Sequence, residues 1–144
     1  MDLINEHLSG FEILDGKLIG NYSISINEQI PVIIDIEKSD ANIEDFSKLL
    51  NEVTSLLNEL TEKTLDNLKT NIAIELTDAA YSESVNNKRA KHHLDLKSQL
   101  KLKNIIFYLY NVISMIFEAK EDYPDLLIYC QVDQSFDIED LTVR

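Results

Sequence analysis

The chain has 144 residues, 44% of them hydrophobic and 27% charged, a balance typical of a globular protein with one hydrophobic core. It contains 26 Asp and Glu residues against 13 Lys and Arg, which gives a net charge of −13. An acidic excess of this size disfavours nucleic acid and anionic membranes as partners and favours a basic partner. We expect one domain that spans residues 1–144.

The single cysteine, Cys130, has no partner for an internal disulfide and excludes a zinc site built on cysteines. It lies in the apolar stretch LLIYCQV, where we expect a buried and unreactive thiol. The amino terminus lacks a basic start followed by an apolar stretch, so no signal peptide is expected. No run approaches the ~20 apolar residues that cross a bilayer, and the sequence therefore predicts a cytoplasmic protein without a membrane segment.

The first predicted element is a β-hairpin over residues 18–37, where apolar and polar residues alternate. The alternating apolar residues are Leu18, Tyr22, Ile24 and Ile26 in one strand and Ile30, Val32, Ile34 and Ile36 in the other. A turn at residues 27–29 joins the two strands. Pro31 lacks an amide donor, which predicts an edge strand or the start of a strand. A further short strand containing Phe11 and Ile13 is expected before the hairpin.

The hydrophobic period changes over residues 41–80, where no Gly or Pro interrupts the chain and apolar residues recur at helical spacing. The two apolar sets are Ile43, Phe46, Leu50, Val53, Leu57 and Leu60, and then Leu65, Leu68, Ile72, Leu76 and Ala79. One long helix fits this pattern, and a pair of helices with a kink near Thr61 fits it slightly better. Ser39 or Asp40 is the predicted N-cap.

The polar residues 82–87 predict a loop, and the basic stretch 88–103 is expected to begin a short helix that ends near Gln99. From residue 102 the β period returns, and it predicts four strands joined by turns at Tyr110-Asn111 and Gln134-Ser135 and by the loop KEDYPD. The element order predicts an α+β fold: a mainly antiparallel sheet of about six strands, with the helical segment packed on one face.

No motif in the sequence indicates catalysis or a cofactor. The adjacent His92 and His93 would point about 100° apart on a helix, so both side chains cannot easily bind one metal. Sequence patterns for nucleotide binding, calcium binding and serine or zinc hydrolases are absent. The basic stretch lacks a Gly-rich loop and interleaved aromatic residues, so we expect its cations to neutralise carboxylates elsewhere on the protein. The sequence predicts a protein that is not an enzyme and has no metal site.

The last third of the chain combines acidic and aromatic residues in its loops and hairpins. On the strand LLIYCQVD, one parity is expected to bury Leu126 together with Cys130. The other parity turns Tyr129 and Gln131 outward. Tyrosine is enriched at protein interfaces, and a carboxylate beside it pairs well with Arg or Lys. The predicted partner-binding residues are Glu121, Asp122, Tyr123, Tyr129, Asp133 and Asp137; an ordinary acidic surface remains the alternative.

Three features together carry a resemblance over most of the chain: FEILDGKLIGNYSISINEQIPVIIDIE, the long amphipathic helical stretch, and LKLKNIIFYLYNVISMIFEA followed by LLIYCQVDQSFDIEDLTV. With them the chain resembles small bacterial immunity proteins of polymorphic-toxin and contact-dependent growth inhibition systems. The resemblance implies a protein that binds and blocks a cognate secreted toxin domain. Such toxins are often nucleases with basic substrate grooves, where an acidic inhibitor would present carboxylates in place of phosphates or bind beside the active site.

Two hypotheses from other classes stay open. The first is a self-associating regulatory or structural module, which would use the helical stretch 43–80 as a dimer seam; the sequence therefore allows a homodimer. The second is a small enzyme or ligand-binding domain whose polar site is assembled from residues distant in sequence.

Overall fold

The computed structural model describes residues 8–25, 28–80 and 89–144. The described strands are β1 (Leu8–Leu14), β2 (Lys17–Ser25), β3 (Glu28–Asp35), β4 (Lys101–Tyr108), β5 (Ile113–Glu118), β6 (Ile128–Val132) and β7 (Ile138–Val143). The described helices are α1 (Ile43–Glu59), α2 (Glu62–Ala80) and α3 (Arg89–Gln99). The predicted α+β class is confirmed, with seven strands in place of about six. None of the described helices is both long and apolar enough to cross a membrane.

All seven strands form one sheet, and their order across the sheet is their order along the chain. Every neighbouring pair is antiparallel except β3 and β4, which run parallel. Parallel neighbours need a long crossover connection, and the three helices supply it between β3 and β4. The mainly antiparallel sheet of the prediction is therefore confirmed, and the helical segment is its one crossover.

The hydrophobic core lies between the helices and one face of the sheet. The inward face of α1 consists of Phe46, Leu50, Val53 and Leu57, all buried as predicted. In β2, the Tyr22 hydroxyl donates to the carbonyl oxygens of Leu57 and Leu60 at 2.7 and 3.0 Å, which ties the end of α1 to the sheet. Because the apolar faces of both α1 and α2 pack inside the chain, they do not form the exposed dimer seam of the self-association hypothesis.

The helical stretch consists of two helices, as the predicted kink near Thr61 indicated. Leu60 ends α1 with φ −83° and ψ 76°, outside the helical region. The Thr61 hydroxyl oxygen then accepts the backbone N–H of Thr64 at 3.2 Å, which satisfies a free donor in the first turn of α2. At the outer ends of the predicted pattern, Ile43 and Ala79 are exposed rather than buried.

The predicted N-cap of α1 at Ser39 or Asp40 is wrong. Asn42 caps the helix, and its side-chain oxygen accepts the backbone N–H groups of Glu44 and Asp45 at 3.0 and 3.2 Å. Asp45 returns the bond, since its carboxylate accepts the Asn42 N–H at 2.8 Å. This reciprocal capping box satisfies the first turn with a residue two positions beyond Asp40.

Three further predictions need correction or limits. β3 lies between β2 and β4, so Pro31 is not on an edge strand; pairing with β4 begins at Val32, one residue later. Leu126 precedes β6 and is 44% exposed rather than buried. Glu28 and Gln29, placed in a turn, begin β3, while Asn27 and the predicted loop at 82–87 lie outside the described residues.

Candidate protein-binding site

The structure places the six predicted partner-binding residues at three locations. The β5–β6 loop holds Glu121, Asp122 and Tyr123, β6 itself holds Tyr129, and the β6–β7 turn holds Asp133 and Asp137. The loop and the turn lie at opposite ends of β6, which has five residues. At about 3.3 Å per residue, the first and last residues of β6 are ~13 Å apart. The structure therefore brings together only the first three of the six.

The β5–β6 loop is fixed against the end of α3. The backbone N–H of Asp122 donates to the side-chain oxygen of Gln99 at 3.0 Å, and the N–H of Tyr123 donates to the Ala119 carbonyl at 2.8 Å. Tyr123 packs against the core from the helix side. Burial raises the pKa of its hydroxyl, and the neighbouring charge of Asp122 raises that pKa further. The loop thus has a defined position beside the helices.

A groove of about 460 Å³ lies between this loop, the last turns of α2 and α3. Its lining consists of Leu76, Thr77, Ala80, His92, Asp95, Leu96, Ser98, Gln99, Glu121, Asp122 and Tyr123. The apolar part comes from Leu76, Leu96 and the Tyr123 ring. The charged part is three carboxylates, and no Lys or Arg lines the groove among the side chains that the structure describes. We call this feature the acidic groove.

The carboxylates of the acidic groove differ from those nearby. On α2, Asp66 pairs with Lys97 and Asp78 pairs with His93, each at 3.1 Å. Within the described residues, Asp95, Glu121 and Asp122 form no ion pair. An unpaired carboxylate can bind an incoming cation without first breaking an existing contact. The arrangement therefore suits the long side chain of a Lys or Arg, with its apolar stem against the apolar wall and its charge at the carboxylates.

At the end of β6 opposite the β5–β6 loop, the Asp133 side chain stabilises the backbone of a turn. Its Oδ1 atom accepts the backbone N–H groups of Ser135 and Asp137 at 2.8 and 3.0 Å, and its own N–H donates to the Asp137 carbonyl. These bonds shape the β6–β7 turn, in which Phe136 adopts a left-handed φ of 62°. The Asp133 carboxylate is thus engaged by the backbone, whereas Asp137 is exposed.

Tyr129 lies on the sheet face opposite the helices, as its predicted parity requires. The Arg144 guanidinium stacks over its ring, 4.2 Å from the ring centroid. The backbone of Arg144 also exchanges two hydrogen bonds with Leu127, at 2.9 and 3.0 Å. Tyr129 therefore belongs to a different surface from the acidic groove.

The same face carries four isoleucines that the sequence reasoning missed: Ile19, Ile33, Ile106 and Ile116. None of them belongs to the core between the sheet and the helices. A signal was present in the sequence, because the strands contain apolar doublets such as Ile33-Ile34, Ile105-Ile106 and Ile116-Phe117. Successive strand residues point to opposite faces, so a doublet places apolar side chains on both.

Cys130 is fully buried, as predicted. Burial raises the pKa of its thiol to about 12, and the charges of Glu75 and Asp140 act in the same direction. The thiolate is the reactive form, so this cysteine is not an activated nucleophile near neutral pH. No group of three or more potential metal ligands occurs among residues 8–25, 28–80 and 89–144.

No family model matches the chain, and neither a curated protein nor a solved structure matches it.

Proposed function

We propose that this protein is a cytoplasmic immunity protein that binds and blocks a basic toxin domain, a nuclease, without catalysing a reaction. The observation that carries the proposal is the acidic groove, where three carboxylates that pair with no cation of the described part of the chain line a cavity of about 460 Å³. The net charge of −13 and the resemblance stated above support the same conclusion.

The groove has a size and chemistry that match basic side chains. Clefts that hold small molecules enclose ~300–1,000 Å³, so the acidic groove has room for the end of one or two Lys or Arg side chains. Each contact would form a charge-assisted hydrogen bond, which is stronger than a bond between neutral groups. A nuclease domain must present such side chains wherever it holds phosphates. The proposed contact therefore uses the toxin's own substrate-binding residues or their neighbours.

The charge of the whole molecule would act before contact is made. Opposite net charges raise the association rate of two proteins above the ~10⁵–10⁶ M⁻¹s⁻¹ of neutral pairs, and salt screens this effect beyond about 10 Å at 0.1 M. Binding should consequently weaken steeply as salt increases from about 50 to about 500 mM, mainly through the association rate.

The test uses as binding partner the carboxyl-terminal domain of a secreted protein whose gene adjoins the gene for this chain, a neighbour that the proposal predicts. The double variant Glu121→Gln/Asp122→Asn keeps the shape of the groove and removes two of its charges. The matched control, Glu52→Gln/Glu59→Gln, removes two charges from exposed positions of α1. Association and dissociation rates would be measured for all three proteins, together with survival of cells that express the toxin domain.

We expect the groove variant to lose about tenfold in affinity or more for each charge, chiefly through faster dissociation, and to protect cells poorly. The control should change only the association rate, by a few fold. A groove variant that binds and protects like the wild type would remove the groove as the binding site. If the wild type does not bind the neighbouring domain at all, the immunity function itself is wrong.

A further inference from the structure

Among the described residues, no helix packs on one of the two faces of the sheet, and the centre of that face is apolar. Three cross-strand rows define this surface, which we call the helix-free face. The first row consists of Ile19, Ile33, Ile106, Ser114, Gln131 and Asp140. The second row consists of Asn104, Ile116, Tyr129 and Thr142, and the third consists of Lys17, Asp35 and Tyr108. Antiparallel sheets that face water usually carry polar residues on the exposed side. The middle of this face instead holds four isoleucines and two tyrosines.

The charges on the helix-free face nearly cancel, in contrast to the rest of the molecule. Lys17 lies 3.9 Å from Asp35, Lys103 lies 3.7 Å from Glu118, and Arg144 stacks on Tyr129 one strand away from Asp140. Glu12 lies across from Ile19, and Glu139 accepts a hydrogen bond from the Gln131 side chain. Together these charged residues sum to −2 within a chain of net charge −13.

The low local charge of this face indicates which partner can dock on it. Two copies of a strongly acidic protein repel each other, so they can associate only where the local charge is low and the apolar area is large. A twofold contact places the same surface on both sides, which lets the cations of one copy face the acids of the other. We propose that a second copy of this chain docks on the helix-free face and forms a twofold dimer.

A buried polar atom in the second row supports the proposal that a partner completes this face. The Oδ1 atom of Asn104 is buried and accepts no hydrogen bond from the described residues. Asn104 lies directly across from Ile116, and Ile116 lies across from Tyr129. Buried polar atoms in native proteins almost always have a partner, and a donor from a facing copy would supply one after a small side-chain rotation.

The dimer goes beyond the proposed toxin binding and does not depend on it. The acidic groove is built by α2, α3 and the β5–β6 loop on the other side of the sheet. Each copy in a dimer would keep its groove accessible, so two copies could bind two toxin domains. The two contacts should also respond to salt in opposite ways, because salt screens both the attraction of a basic toxin and the repulsion between acidic copies.

The experiment measures mass in solution by sedimentation over about 1 to about 200 µM protein, where a dimer has twice the 16.5 kDa of one chain. Ile106→Glu places a charge in the centre of the face, and Ser114→Arg does so at a polar position that the fold tolerates more easily. The matched control is Leu94→Glu on α3, a side chain that is 69% exposed. Circular dichroism would establish that each variant is folded.

We expect the wild type and Leu94→Glu to dimerise more strongly at high salt, and both face variants to lose about 30-fold or more in dimer affinity. A wild type that stays monomeric at every concentration overturns the proposal, as does a folded Ser114→Arg that dimerises normally. Deleting residues 1–7 tests a different occupant of the face, the chain's own amino-terminal segment. A chain that dimerises only after this deletion would show that this segment, and not a second copy, covers the face in the intact chain.

Discussion

The two faces of the sheet are made from the same strands and are stabilised in different ways. On the core face, Ile105, Phe107 and Met115 have at most 2% of their surface exposed beneath the helices. On the helix-free face, the next residues along the same strands, such as Ile106 and Ser114, are half-buried among neighbouring side chains. Residues that are adjacent in sequence and similar in chemistry therefore differ in their contribution to stability. This contrast shows that strand parity, and not hydrophobicity alone, divides structural residues from surface residues available to a partner.

The adjacent isoleucines of β4 provide the largest expected difference in stability between the two faces. Ile105 is 0% exposed, so Ile105→Ala should lower the free energy of unfolding by about 2–5 kcal/mol through lost burial and the cavity left behind. Ile106→Ala removes the same atoms from the helix-free face and should cost about 1 kcal/mol in the monomer. Chemical denaturation at low protein concentration measures both values. Equal losses would contradict the assignment of the two faces, and a cost for Ile106→Ala that grows with concentration would indicate the dimer.

Two tyrosines, one on each face of the sheet, provide a second comparison of stability with a smaller expected effect. The Tyr22 hydroxyl on the core face is bonded to two carbonyl oxygens at the end of α1, so Tyr22→Phe should cost about 1–2 kcal/mol of unfolding free energy. Tyr129→Phe keeps the ring that stacks on Arg144 and should leave stability within about 0.5 kcal/mol of the wild type. Thermal or urea denaturation separates the two. A Tyr129→Phe loss as large as that of Tyr22→Phe would mean that the hydroxyl on the helix-free face has a structural partner.

The sequence predicted the elements of this fold because their signals are local. Apolar spacing over residues 43–80 identified α1 and α2, and the dipeptide Tyr110-Asn111 identified a turn in which both residues adopt left-handed φ angles of 64° and 62°. The N-cap of α1 was harder to predict, since Ser39, Asp40 and Asn42 are all good capping residues. Only the path of the chain from β3 decides among these three.

The candidate site was harder to predict because it depends on contacts between distant segments. The acidic groove exists because Asp122 in the β5–β6 loop binds Gln99 at the end of α3. Nothing local to either residue indicates that pairing. By contrast, the separation of Tyr123 from Asp137 followed from the sequence, because a loop before a strand and a turn after it must lie at opposite ends of that strand. Grouping all six residues as one surface overlooked this constraint.

The smallest expected effect distinguishes carboxylates that stabilise the fold from those that are free to bind. The Asn42 backbone N–H, bonded to the Asp45 carboxylate, lowers the pKa of Asp45 below its ordinary value of 3.8, and Lys38 lowers it further. A lowered folded-state pKa adds stability that is complete above the unfolded value and is lost as pH falls through the folded value. Asp45 is thus a structural carboxylate, unlike Glu121 of the acidic groove, which pairs with none of the described cations.

Asp45→Asn should therefore lower the melting temperature at neutral pH, and its difference from the wild type should shrink as the pH falls below about 4. The carboxamide also fits the capping box less well, because its bond to the Asn42 N–H lacks the charge that strengthens the wild-type bond. Glu121→Gln is the matched control, and at neutral pH it should leave the melting temperature unchanged, since Glu121 forms no ion pair with the residues that the structure describes. A difference between Asp45→Asn and the wild type that stays constant from neutral pH to about 2 would show that the Asp45 charge does not contribute to stability. A destabilised Glu121→Gln would instead place Glu121 among the residues that hold the fold, and would weaken the case that its carboxylate is free for a basic partner.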